Sequence, residues 1–123
     1  MGITIAPSSS GRHQSRAVVV KCAWTTEAPA HAVSDYVELS GLLCGLVTVP
    51  GTPAPSDGYG VALLDGSVDM LRGVGASRDS DATEWAEVCV SDTHPVPVDG
   101  RYVLKVSAAD SDTAGAAWLM LAT

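Results

Sequence analysis

The chain has 123 residues, 46% of them hydrophobic and 17% charged, with a formal net charge of −7. That is one domain's worth of sequence, apolar enough to bury a core and therefore globular rather than disordered. Seven basic side chains against fourteen acids exclude a nucleic-acid partner, whose phosphates must be neutralised by Lys and Arg, and no apolar run approaches the ~20 residues of a membrane-spanning helix.

There is no Phe, so the core must rest on Val, Leu and Ala, helped by Trp24, Trp85 and Trp118. Charge is sparse for a monomer's surface, and part of the apolar surface is expected to meet other subunits. Cys22, Cys44 and Cys89 are widely spaced and flanked by apolar residues. An odd count without CxxC spacing reads as buried, reduced thiols rather than a disulfide framework or a metal site. The N-terminus has no signal-like apolar core, which fits synthesis and folding in the cytoplasm.

In chain order, Ile3 to Ala6 reads as a short strand ended by Pro7, and Ser8 to Ser15 as a polar loop or arm. Residues 1–16 thus form an extended N-terminal arm or peripheral strand ahead of a domain spanning 17–123. Ala17 to Trp24 is a strand with Val18, Val20, Cys22 and Trp24 on its core face. Asp35 to Leu39 alternates, with Val37 and Leu39 opposite Tyr36 and Glu38. Gly41 to Val49 is a second strand, and Gly45 within it marks a bulge or close packing. Pro50 to Gly58 is a proline-stiffened loop. Gly60 to Leu71 reads as a hairpin turning at Asp65-Gly66, followed by a long Gly-rich loop, Arg72 to Thr83, expected to be flexible.

Glu84 to Val90 returns to strand, and residues 91–100 form a Pro-bearing connection. Arg101 to Ala108 points Tyr102, Leu104 and Val106 inward and Arg101, Val103 and Lys105 outward. The last strand, Gly115 to Ala122, is apolar on both faces, with Trp118 and Met120 opposite Leu119 and Leu121. It lies either centrally or against a neighbour. About eight short strands without a helix predict an all-β fold, an antiparallel β-sandwich or jelly-roll-like barrel. Helical alternatives over Asp81 to Val90 and Ala108 to Leu121 conflict with their β-branched content and Gly115.

Chemistry is hard to find. His13, His31 and His94 fall in loops without a nucleophile-and-base pattern. The run Gly73-Val74-Gly75-Ala76 has no helix behind it to seat a phosphate. The acidic pairs Asp65/Asp69, Asp79/Asp81 and Asp110/Asp112 match no EF-hand loop and read as turn formers. No catalytic, cofactor-binding or metal-ligating residue is predicted. The basic cluster Arg12, His13, Arg16 and Lys21 could dock on an acidic protein.

The segment from Leu46 to Arg78 carries PG-x-PAPSD-x-Y, then a strand, then DG-x-VD-x-L-x-G-x-GA-x-RD, and Val98 to Ser107 adds VDGRYVLKVS. Together these resemble a family of small virion proteins of tailed bacteriophages, with departures at Gly58 and Gly60. The resemblance implies a β-rich structural component, a capsid decoration or cement protein sitting as a homotrimer on the virion surface. Its partners would be the major capsid protein and sister subunits. Interface residues expected on that basis are Ile3, Ile5, Arg12, Arg16, Trp118 and Met120. Two other readings are a tail, baseplate or head-fibre component, and a host-glycan module using Tyr59 and Trp85.

Overall fold

The computed structural model describes residues 2–9, 17–88 and 94–122, with the side chains of residues 4–9 and 17 outside that description. These residues form eight strands and no helix: β1 (Gly2–Ser9), β2 (Ala17–Thr25), β3 (Val33–Pro50), β4 (Gly60–Asp65), β5 (Val68–Asp69), β6 (Glu84–Glu87), β7 (Val96–Ser107) and β8 (Ala114–Ala122). The fold is all-β, as the sequence predicts. Its strands belong to one antiparallel sheet in the order β1-β2-β8-β3-β7-β4-β5, with β6 beside β3, and the sheet is not closed. Arg12, His13, Arg16 and Cys89 lie outside the described residues.

The two strands expected at Asp35 to Leu39 and Gly41 to Val49 are one 18-residue strand, β3. Its first half pairs with β7, from Val33↔Val106 to Leu43↔Val96. Its second half pairs with β8, from Leu42↔Ala122 to Pro50↔Gly115, and with β6. The register slips between Leu43 and Gly45, so Cys44 is the extra residue of a β-bulge, which bends a strand and raises its twist. The bend carries β3 from one limb of the sheet to the other. Beyond Leu42 toward Val33, the edge of β3 turned away from β7 is paired with no strand among the described residues, although β1 approaches β3 and Gly2 lines a groove with Val33 and Asp35.

The limbs enclose one core. Val20, Cys22 and Trp24 of β2 and Ala117, Leu119 and Leu121 of β8 are buried, as are Val37 and Leu39 of β3 and Tyr102, Leu104 and Val106 of β7. Trp24 meets Tyr59 at 5.8 Å between ring centroids, although β2 and β4 are separated by three strands in sheet order. The sheet therefore curls until its ends face each other. Trp24 is the one tryptophan of the core; Trp85 is 59% exposed and Trp118 half-buried, against the expectation that all three would help to build it.

Prolines account for two further differences. β1 continues through Pro7 to Ser9, with Pro7 opposite Val20. β7 begins at Val96 and includes Pro97, opposite Leu42. β1 ends the sheet, and β4 reaches β7 only from Val103 onward, so each proline has a strand on one side alone, where a missing N–H is tolerated.

The hairpin turn falls on Gly66-Ser67, between the paired residues Asp65 and Val68, and the returning arm β5 is two residues long. The Gly-rich segment after β5, expected to be flexible, is packed against the rest of the chain. The Asp69 carboxylate accepts hydrogen bonds from the backbone N–H of Leu63 (3.1 Å), Leu71 (3.0 Å) and Gly73 (3.0 Å). Leu71 is fully buried. Gly75 lies so close to the Val61 carbonyl that a methyl group there would overlap it. Arg78, 7% exposed, donates from Nε to Thr48 Oγ1 (3.0 Å) and from Nη1 to the Val74 carbonyl (2.8 Å), and pairs with Glu84 at 3.3 Å. The same Glu84 oxygen accepts from the Asp79 N–H (2.8 Å). Tyr59 is buried beside this network, its hydroxyl pushed above its usual pKa by burial, with Thr48 and Arg78 opposing the shift. The hydroxyl lies near Thr48 without a well-formed hydrogen bond.

Arg78→Met should lower unfolding free energy by about 2–4 kcal/mol, and Asp69→Ala by about 2–3 kcal/mol, since hydrogen bonds involving a charged group contribute more than neutral ones. Urea denaturation measures both. Burial also pushes the Cys22 thiol from 9.0 to about 12. The folded chain keeps this proton where the unfolded chain releases it. The resulting stability is whole below pH 9 and is lost as pH rises toward 12. Urea midpoints should fall across that window, and less steeply in Cys22→Ala.

Candidate functional site

The two limbs present different characters to solvent. On the limb made by the first half of β3 with β7 and β4, the outward positions include Ser34, Tyr36, Glu38 and Ser40 of β3 and Asp99, Arg101, Val103 and Lys105 of β7. Arg101 lies over the Tyr36 ring at 4.9 Å and is opposite Glu38 in register. Ala62 and Leu64 of β4 share this face and Tyr36 is 60% exposed, so it is a mixed sheet face with both charge signs interspersed.

The other limb is different. Outward residues of β2, β8, the second half of β3 and β6 line up in rows fixed by register. One row reads Lys21, Trp118, Val47, Trp85; the next reads Val19, Met120, Gly45, Glu87. Ala116, Ala122, Leu42 and Val49 extend the surface along the strands. Leu42 is 41% exposed, while Trp118, Met120 and Val47 are half-buried. Lys21 and Glu87 are the only charged side chains in these rows. The Lys21 ammonium sits 4.5 Å from the centre of the Trp118 ring, an attraction to the ring's negative face.

Gly45 shapes this surface. The six-membered ring of Trp85 lies where a Cβ of residue 45 would be, with the Met120 Cγ 3.3 Å from the same point. Lacking a side chain, Gly45 lets the indole lie against β3, so the ring caps the sheet. Both sequence-based readings of Gly45 meet here, since it also borders the bulge at Cys44. The Cys44 thiol donates to the Met120 carbonyl at 3.3 Å, joining the bulge to β8. Cys44 is half-buried, unlike Cys22.

Of the residues expected at an interface, Trp118 and Met120 stand side by side on this face. Ile3 does not join them: it packs against the core, opposite Trp24 in register. Ile5 is paired with Cys22 through the backbone, and Arg12 and Arg16 lie outside the described residues. Tyr59, expected as an exposed ligand-stacking ring, is fully buried, which removes one of the two aromatics from the glycan reading. Trp85 is exposed, as the glycan reading expected; Val47, Gly45 and Leu42 were not singled out as surface, because alternation assigns faces within a strand but not which face of an apolar strand is covered.

Elsewhere, polar groups do structural work. His31 Nδ1 is 3.2 Å from Asp110 Oδ1, both side chains well exposed, beside the bond from Ala109 N–H to the His31 carbonyl. Asp79 and Asp110 accept from backbone N–H groups of their own turns, and Asp112 from Ala28 N–H. Thr26 and Thr113, both buried, share a hydroxyl contact of 2.9 Å and fasten the end of β2 to the turn before β8. A shallow groove of about 500 Å³ runs past Gly2, Ala32, Val33, Asp35 and Lys105. No group of three or more His, Cys, Asp or Glu side chains suited to a metal ion is present among the described residues.

Gly45→Ala should lift the Trp85 ring off β3. Acrylamide quenching of the exposed indole should rise while stability changes by less than about 1 kcal/mol, because the displaced group is the free end of a surface side chain. Unchanged quenching would mean that the ring does not rest on Gly45.

Compared with protein-family models, curated proteins and solved structures, the chain matches none of them.

Proposed function

We propose that this chain is a structural subunit of a tailed-bacteriophage virion, made in the host cytoplasm and mounted on the head as a decoration or cement protein. Two lines support the reading. One is the resemblance carried by the segment from Leu46 to Arg78 and by Val98 to Ser107. The other, which carries the functional half of the argument, is the apolar outer face built from Trp85, Trp118, Met120, Val47 and Leu42 on a limb whose counterpart is mixed. A monomer in water has no use for such a face. A subunit repeated over a shell does, because burying it releases about 25 cal/mol per Å² of apolar surface.

The motif residues fit a supporting role. Asp69, Leu71, Gly75 and Arg78 clamp the segment between β5 and β6 against β3 and β4, which stiffens the molecule without creating a cleft. A rigid subunit loses little freedom on docking. Binding the assembled shell and not its separated parts then favours assembly by mass action. The partners in this reading are the major capsid protein and sister copies, with no cofactor.

Quantitative mass spectrometry of purified particles tests the assignment. Copy number in the hundreds, with loss of the gene lowering the temperature at which heads release DNA, is the expected outcome. A handful of copies that co-purify with tails would assign the chain to the tail instead, and absence from particles would overturn the reading.

A further inference from the structure

We infer that the outer face of the β2–β8–β3–β6 limb is a self-contact: two copies of this chain pair through it about a two-fold axis. The inference rests on reading this face as a contact surface and adds the identity of its occupant.

The first argument is symmetry. If one flat face is covered by the same face of another copy, the contact is isologous, and closed symmetry then makes it two-fold. The homotrimer implied by the resemblance requires two different patches. Among the described residues the broadest apolar patch is on this limb, while the opposite limb mixes charged and polar side chains with Tyr36, Val103, Ala62 and Leu64.

The second argument is charge. Lys21 lies at the β2 side of the face and Glu87 at the β6 side, with β8 and β3 between them. Neither side chain forms an ion pair among the described residues, and the Lys21 ammonium lies over the Trp118 ring. A two-fold axis lying in the contact plane, running roughly along the boundary between β8 and β3, turns the β2 side of one copy onto the β6 side of the other. Lys21 of each copy then comes beside Trp85 and within a long side chain's reach of Glu87 of the second copy. Between these two ion pairs, Trp118 lies over Val47, and Met120 over the Trp85 ring that caps Gly45. The face thus carries its own complementary charges at opposite margins, and a partner with a uniformly charged surface would satisfy only one of them.

Size sets the strength. Four strands at a spacing of about 4.8 Å, with two outward residues on β6 and about four on each of the others, give roughly 400 Å² of flat sheet per copy. That is at the low end for specific pairing, so the dimer should be weak, with Kd in the micromolar range.

Sedimentation velocity of the purified full chain from about 1 to about 200 µM tests this directly, a range bracketing micromolar affinity. A concentration-dependent monomer–dimer equilibrium is expected. Trp85→Ala should weaken it at least about tenfold, as for a large ring that reaches from β6 over Gly45 into the contact. Lys21→Glu should weaken it comparably by setting two carboxylates together on each side, and the charge exchange Lys21→Glu with Glu87→Lys should restore it. Circular dichroism establishes that each variant is folded. A monomer throughout the range, a trimer, or a dimer indifferent to all these substitutions overturns the inference. Particle copy number does not depend on pairing in free solution, so either result can fail without the other.

Discussion

The bend in β3 is the constraint on which the rest of the molecule depends. One strand of eighteen residues pairs with β7 along its first half and with β8 and β6 along its second, and it must bend for both halves to close on one core. The extra residue at Cys44 resolves this by breaking register between Leu43 and Gly45. Because the same strand supplies both limbs, the Val37 and Leu39 side chains and those of Leu46 and Thr48 are delivered to one core from opposite directions. The mixed and apolar outer faces are then a direct product of where the chain turns.

The second fixture is the clamp between β5 and β6. A buried guanidinium is expensive unless its donors are taken, and Arg78 has three partners on three parts of the chain: Thr48 on β3, Val74 in its own segment and Glu84 on β6. Together with Asp69 gathering three backbone N–H groups, it turns a stretch with little regular structure into a fixed wall of the core. This explains why DG-x-VD-x-L-x-G-x-GA-x-RD looks like punctuation. Among the marked residues Gly66 is a turn, Asp69 a carboxylate acceptor, Leu71 a buried anchor, Gly75 a close approach and Arg78 the clamp itself.

Much of the fold was legible because period-two alternation is a strong signal. Tyr102, Leu104 and Val106, or Val20, Cys22 and Trp24, leave no doubt about which side faces inward. What alternation could not reveal was long-range. Ser40-Gly41 reads as a break, but β7 runs alongside and holds β3 extended through it. Pro7 and Pro97 read as stops, but each has only one neighbouring strand. Arg72 to Thr83 reads as slack because Gly and Asp dominate it, and its order comes from partners distant in sequence. The candidate surface was half legible for the same reason. Trp118 and Met120 sit on a strand so apolar on both faces that one face must lie centrally or meet a neighbour, whereas their neighbours Val47, Gly45 and Trp85 come from two other strands that only the register brings alongside.

The unpaired edge of β3 has a consequence for how the chain behaves at high concentration. Open strand edges invite accidental zipping into fibrous aggregates, and proteins that keep them usually blunt them. Here Asp35 folds its carboxylate back onto the N–H of Tyr36 at 2.7 Å, occupying a donor that an intruding strand would need. With Glu38 close by on the same stretch, two such rims brought together would repel. The fold thus keeps an apolar outer face while its unpaired border is guarded against uncontrolled polymerisation.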